Sequence, residues 1–291
     1  MTVLPVVLDC DTGTDDAVAI MLAALHPGLD LLGVTTVFGN LAVADTTDNT
    51  RRVLDEVGRS GVPVHRGASS ALPPGRRVPK ASPAVDWLVE TLRATTRPVT
   101  LVPTGPLTNV ALALLADPRI VDAVDQLVMM GGSHAIPNVT PHAERNVWND
   151  PVAADSVLRA GFRRLVMVTL DATHQAPLDH DDCDRLRRLG TPAGVATADL
   201  VEERIEQYAG WGPPGARPAA PVHDPVTVAY LVEPDVVTLR HLHVAVETTE
   251  GPTCGRTVID VDGVTGRPPN AHVALTADRD RFVGVLLSTL G

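Results

Sequence analysis

Four carboxylates fall within eight positions near the start of the chain: Asp9, Asp11, Asp15 and Asp16, in the run Val-Val-Leu-Asp-Cys-Asp-Thr-Gly-Thr-Asp-Asp over 6–16. Carboxylates at that density repel one another and resist losing water. A hard divalent cation such as Ca2+ or Mg2+ resolves the conflict, because it takes several oxygen ligands at once. Helix capping by acidic first-turn residues accounts for Asp15 and Asp16 but gives Asp9 and Asp11 no task. The apolar residues before Asp9 read as a buried strand, and Gly13 permits a sharp turn at its end. All four acids are therefore expected to cluster where a parallel strand stops and a helix starts, the usual ligand position in open α/β sheets.

Other polar signatures also follow apolar runs. Phe38-Gly39-Asn40 comes after a second expected strand, Pro103-Thr104-Gly105-Pro106-Leu107-Thr108-Asn109 after a fourth, and Met130-Gly131-Gly132 after a fifth. A polar loop then carries Asn138, Glu144, Asn146 and Asp150, and His223-Asp224-Pro225 precedes a helical stretch at 226–232. Each alone is explained by a turn, a packing glycine or a cap. Together they place carboxylates, amides and a histidine on one face of one sheet.

The elements that must position these groups alternate along the chain. Strands are expected at 3–8, 29–36, 62–65, 99–103, 124–130 and 164–169, and helices at 16–25, 44–57, 83–94, 106–116 and 151–160. Pro106 and Pro151 suit first helical turns, where a missing N–H costs nothing. The alternation implies an α/β protein: an open, mostly parallel wound sheet flanked by helices, with a Rossmann-like core. Further on, 179–208 reads as helix, 210–221 as a Pro/Gly/Ala loop, and 236–246 and 257–262 as strands. No internal repeat or clear boundary is present, so one domain over 1–291 is expected. The segment 73–83 is the most loop-like early stretch and suits the rim of a site.

Composition narrows the function. With 291 residues, 44% of them hydrophobic, the chain can bury a sizeable core. A net charge of −11 argues against a nucleic-acid polymer as partner. Cys10, Cys183 and Cys254 are far apart, without zinc-like or disulfide spacing. There is no charged-then-apolar leader and no apolar run approaching roughly 18 residues, so a cytoplasmic protein without a membrane span is expected.

With these motifs the sequence resembles the nucleoside hydrolases, typified by the inosine–uridine-preferring nucleoside N-ribohydrolases. The resemblance covers essentially the whole chain: Asp9–Asp16, Gly39-Asn40, the 102–109 motif, Met129-Met130-Gly131-Gly132, Glu144-x-Asn146 with Asp150-Pro151, Leu170-Asp171-x-Thr173-His174-Gln175, and His223-Asp224-Pro225. It implies the nucleoside hydrolase fold and hydrolysis of a ribonucleoside to ribose and free base. It further implies Ca2+ held by Asp11, Asp16, Asp224 and the Thr104 carbonyl, together with a water and the ribose 2′- and 3′-hydroxyls. Asp11 is then the general base toward that water. Asp15 bonds the 2′-hydroxyl, Asn146 bridges the 2′- and 3′-hydroxyls, and Asn138 and Glu144 hold the 5′-hydroxyl. Asp224 meets the sugar as well as the ion. Asn40 lies near the anomeric carbon, and Met130 lines the sugar or base pocket. His223 either protonates the departing base or only orders the loop that carries Asp224. The family forms dimers or tetramers, so a homodimer or homotetramer is expected.

Two departures from the family bear on substrate. Its usual Glu-Phe-Asn reads Glu144-Arg145-Asn146 here. Arg145 either points to solvent or meets an anionic 5′ substituent, which makes a nucleoside 5′-monophosphate or another specialised ribosyl compound the alternative substrate. The flap region is only 67–83 and lacks the family's histidine, so base preference is not carried over. A haloacid-dehalogenase-like phosphatase fits poorly, because Gly13 breaks its motif and Lys80, the only lysine, sits in a proline-rich loop. A non-catalytic nucleoside-binding relative is a further alternative, against which the full set of matched ligands argues. Trp148 and Trp211 are candidates for base-pocket walls, with a core position the plainer reading.

Overall fold

The computed structural model describes residues 3–72, 82–210 and 217–291. Its strands are β1 (Leu4–Cys10), β2 (Leu29–Thr36), β3 (Val64–Arg66), β4 (Val99–Pro103), β5 (Val124–Met130), β6 (Leu165–Val168), β7 (Pro177–Asp179), β8 (Ala219–Pro221), β9 (Val237–Leu242), β10 (Val244–Val246), β11 (Thr257–Ile259) and β12 (Ala271–Ala277). The helices are α1 (Thr14–Leu25), α2 (Val43–Glu56), α3 (Pro83–Ala94), α4 (Thr108–Ala116), α5 (Arg145–Asn149), α6 (Pro151–Leu158), α7 (Leu170–Thr173), α8 (His180–Arg188), α9 (Pro192–Gln207), α10 (Pro225–Val232) and α11 (Arg279–Leu290).

Eight strands form the central sheet in the order β3-β2-β1-β4-β5-β6-β12-β9. All its pairings are parallel except β12 with β9. Side chains of β1 alternate between two cores: Val6, Leu8 and Cys10 join one, Val7 the other. Helices α1, α9, α10 and α11 supply the first core, and α3, α4 and α6 the second. The expected open, mostly parallel sheet flanked by helices is borne out. Winding reverses at β1, which has β2 on one side and β4 on the other. Ligand crevices open at such reversals, beyond the carboxyl ends of the strands. Among the described residues no helix is long and apolar enough to cross a membrane.

Several boundaries differ from the sequence reading, each for a local reason. Strand β1 continues to Cys10, which draws Asp9 into the sheet. Helix α4 starts at Thr108 with Leu107 as its N-cap, so Pro106 lies in the preceding turn rather than in the first helical turn. The expected 179–208 helix is broken between α8 and α9 at Gly190, whose φ of 70° is easy only for glycine. The expected 236–246 strand splits at His243, and β8 occupies the end of the expected 210–221 loop. Strand β12 forms from Ala-His-Val-Ala-Leu-Thr-Ala, a sequence rich in a strong helix former that gives no clear strand signal; pairing with β6 and β9 overrides that propensity. Most of 73–83, including Lys80, and Trp211 lie outside the described residues.

Candidate active site

The carboxyl ends of β1 and β4 converge on a cavity of about 590 Å³. Asp11, immediately past β1, points its Oδ2 at the backbone N–H of Asn40, which donates at 2.7 Å. A Cβ on Gly39 would collide with that same carboxylate, so only glycine lets the two loops approach this closely. Asp15 and Asp16 stand in the first turn of α1, where the positive end of the helix favours anions. Asp16 Oδ2 accepts from Gly13 N–H at 3.1 Å and Oδ1 from the Thr104 hydroxyl at 2.8 Å.

Oxygens of Asp15, Asp16 and Asp224 lie within 4.8 Å of one another, and all three residues are buried. The electrostatics show the strain. Burial, and then the charge of Asp15, push Asp16 up to about 6. Burial and neighbouring carboxylates also raise Asp11 and Asp224. Burial acts the same way on Asp15, but the Arg204 guanidinium, with backbone N–H groups that include that of His223, outweighs it and holds that carboxyl below its ordinary value. Buried oxygen donors that raise one another's pKa fit a hard divalent cation.

Asp9 is a correction to the expected four-acid cluster. Its Oδ1 accepts from Asn109 Nδ2 at 2.7 Å and from the Thr35 hydroxyl at 2.6 Å. Its Oδ2 has no partner, and burial pushes the group up to about 7. Because β1 runs past it, Asp9 ties β1 to β2 and α4 beneath the cavity instead of facing it.

The remaining candidates arrive from separate loops. Asn146 Nδ2 donates to the Thr104 carbonyl at 2.7 Å and to the Met130 carbonyl at 3.2 Å. What Asn146 can offer a sugar is therefore its acceptor Oδ1. Glu144 accepts the backbone N–H groups of Gly132 and Asn146 at 2.9 Å and that of Val147 at 3.1 Å, an N-cap that orders the loop around α5. Asn138 Oδ1 accepts from Arg145 N–H at 2.9 Å. His223 Nδ1 bonds the Thr173 hydroxyl at 2.7 Å, and Nε2 lies 3.3 Å from the Tyr208 hydroxyl. Burial, with Arg204 adding to it, pushes His223 down to about 3, so its ring is neutral. Asp11, Asp15, Asn40, Thr104, Met130, Asn138, Glu144, Asn146, His223 and Asp224 all line the cavity. Asp16 lies beneath it with no exposed surface.

Comparison with known proteins decides what this arrangement belongs to. The family model described as "Inosine-uridine preferring nucleoside hydrolase" matches residues 6–284. The chain belongs to that family. A curated relative, the pyrimidine-specific ribonucleoside hydrolase RihA of Shewanella sp. (strain ANA-3), is 38% identical, covering 98% of this chain and 96% of the relative. RihA of Escherichia fergusonii is also 38% identical, over 99% and 98% of the two chains. Among solved structures, a purine-preferring ribonucleoside hydrolase from Gardnerella vaginalis superposes with a TM-score of 0.86 at 31% identity, covering 98% of both chains. This nucleoside hydrolase is accordingly an enzyme that hydrolyses nucleosides.

The hydrolase also has cavity residues that the motifs did not announce. Arg204 and Tyr208 enter from the end of α9, four residues apart. Their signal was a cation followed one turn later by an aromatic, on a helix whose Val201 and Ile205 face the core. Thr173, rather than its neighbour His174, supplies the bond to His223. Trp148 does not wall the hydrolase cavity; it is 43% exposed and packs against Gly255.

Proposed function

We propose that residues 1–291 act as one domain that uses water to cleave the N-glycosidic bond of ribonucleosides in the presence of Ca2+, with cytidine and uridine as preferred substrates. The observation that supports this is the cluster of buried carboxylates of Asp15, Asp16 and Asp224 beside a cavity lined by the side-chain amides of Asn40, Asn138 and Asn146. The pyrimidine choice rests on the names of the 38%-identical relatives. Assembly as a homodimer or homotetramer, and a cytoplasmic place in nucleoside salvage, belong to the same reading and are carried over from the family resemblance.

Asp11, Asp16, Asp224 and the Thr104 carbonyl would hold the ion. A cation held there would lower the pKa of water and help orient the sugar hydroxyls. Asp11, fixed by Asn40 N–H, accepts the proton of the attacking water. Asp15 and the Oδ1 of Asn146 take the sugar's hydroxyl hydrogens, while Asn138 and Glu144 meet the 5′ end. Asn40 stands beside the anomeric carbon and Met130 against the ring. As the C–N bond breaks, the ribosyl group gains positive charge, which the surrounding carboxylates and amide oxygens stabilise. In the tautomer that carries its proton on Nε2, neutral His223 would hydrogen-bond the departing base, with Nδ1 accepting from the Thr173 hydroxyl.

The test is a reducing-sugar assay over cytidine, uridine, inosine, adenosine and guanosine and their 5′-monophosphates, with Ca2+ or with chelator, beside Asp11→Ala. Ribose release that requires Ca2+ and Asp11 supports the reading. Release from monophosphates alone would transfer the 5′ end to Arg145, which lines the cavity. Binding without any release would make the chain a non-catalytic nucleoside binder.

A further inference from the structure

Arg204 is placed oddly for a cation beside a proposed cation site. Its side chain is only 12% exposed, and Nη2 lies 3.1 Å from Asp15 Oδ2. Nη1 donates to the Thr14 hydroxyl at 3.1 Å, Nε donates to the Pro221 carbonyl at 2.6 Å, and the guanidinium lies 5.6 Å from the centre of the Tyr208 ring. One planar fork thus joins the first turn of α1, the segment leading into His223 and Asp224, and the end of α9.

The same Asp15 Oδ2 receives the His223 backbone N–H at 3.4 Å. Both of these interactions fall on one oxygen, which leaves Oδ1 to face a ligand. A guanidinium this close already neutralises the carboxylate, and a divalent ion drawn onto Asp15 would be repelled by it. Asp15 is therefore suited to a neutral hydroxyl, although geometrically it belongs to the acidic cluster.

We propose that Arg204 is a positioning residue that withholds Asp15 from the metal and locks its Oδ1 against the ribose 2′-hydroxyl, so that it sets the preference for ribo- over 2′-deoxyribonucleosides. This rests on the hydrolase reading of Asp15 given above. A misplacement of about 1 Å in a substrate-positioning group costs roughly 100-fold. A 2′-deoxy substrate has no hydroxyl to misplace, so it escapes that penalty.

The experiment compares wild type, Arg204→Ala and Arg204→Lys at saturating Ca2+, on uridine against 2′-deoxyuridine and on inosine against 2′-deoxyinosine. Turnover is measured beside calorimetric binding, so the ribo/deoxy ratio is read even from a chain that binds without cleaving. The expected result for Arg204→Ala is a fall of about 100-fold in kcat/KM on the ribonucleoside and at least tenfold in the ratio. Lysine restores the charge but not the fork, so Arg204→Lys falls between the two. If alanine prevents folding, the lysine variant alone carries the comparison, with a ratio lowered at least threefold. Equal losses on both sugars, or an unchanged ratio, overturn the proposal and leave the hydrolase reading standing. A folded wild type that neither binds nor cleaves ribonucleosides overturns both.

Discussion

The Asn146 side-chain amide donates to the Thr104 carbonyl at 2.7 Å, so a residue of α5 braces a backbone oxygen at the end of β4. That oxygen is one of the proposed ligands of the ion, and groups that orient ligands are worth roughly 10–100-fold in affinity. Asn146→Ala should therefore weaken Ca2+ binding by about tenfold or more, besides removing a sugar contact. Calorimetric titration of Ca2+ into the variant without nucleoside separates the two effects. Unchanged Ca2+ affinity would show that the brace serves only the sugar.

Metal removal should destabilise the protein in a pH-dependent way, and the sign follows from the buried acids. Burial raises Asp16 to about 6 and Asp9 to about 7 from an ordinary 3.8. These two groups then hold more protons in the folded chain than in the unfolded one between those limits, so their contribution to metal-free stability is full below about 4 and is lost as pH rises toward 7. An ion relieves Asp16 but not Asp9. The melting-temperature gap between Ca2+ and chelator should therefore widen from pH 5 to pH 8, reaching about 5–10 °C with Ca2+ at about 100 times its Kd. A gap of the same size at both pH values would count against the carboxylate cluster as the binding site.

Asp9 also separates what the sequence could disclose from what it could not. The acidic run pointed to the end of β1, where the cavity opens, yet spacing alone did not say which acids face out, because that depends on where β1 ends. Strand β1 keeps Asp9 in the sheet against Asn109 and Thr35. The motifs at 39–40, 104 and 144–146 were legible because each sits at a strand end or in the loop beyond one, where polar residues have few structural reasons to gather. Arg204 and Tyr208 were not, since one cation and one aromatic on an amphipathic helix look like any solvated face until α9 is folded against α1. Strand β12 was hidden by alanine. Replacing Asp9 by alanine should leave Asn109 Nδ2 only the Thr36 carbonyl and the Thr35 hydroxyl only the Leu8 carbonyl, and cost about 1–2 kcal/mol, measurable by urea unfolding.

Gly39 makes a sharper test of the Asp11 geometry. A methyl group there would strike the Asp11 carboxylate, and the nearest relief is to turn that side chain away from Asn40 N–H. Gly39→Ala should lower kcat about 100-fold for a misplaced base, while overpacking costs about 1–3 kcal/mol of stability. Kinetics at saturating nucleoside, run below the variant's melting temperature, read the first effect. Full activity in a folded Gly39→Ala protein would show that Asp11 need not be held this way.

His223 gives the prediction that bears most directly on how the base leaves. Burial, reinforced by the positive charge of Arg204, holds its ring at about 3, so it is neutral near pH 7. A charged imidazolium acting as the acid would make kcat/KM fall as pH rises through about 6.5, the ordinary histidine value. A neutral ring has no positive charge to lose in that range, whichever of its nitrogens carries the hydrogen, and gives no such fall. The profile of the wild type is therefore expected to lack an alkaline limb that disappears in His223→Ala. The variant should still slow turnover, and more for nucleosides whose bases are poor leaving groups, because the lost hydrogen bond strengthens as negative charge gathers on the base. An alkaline limb near 6.5 that His223→Ala abolishes would mean that substrate and ion together recharge the ring, and His223 would then act as a true acid.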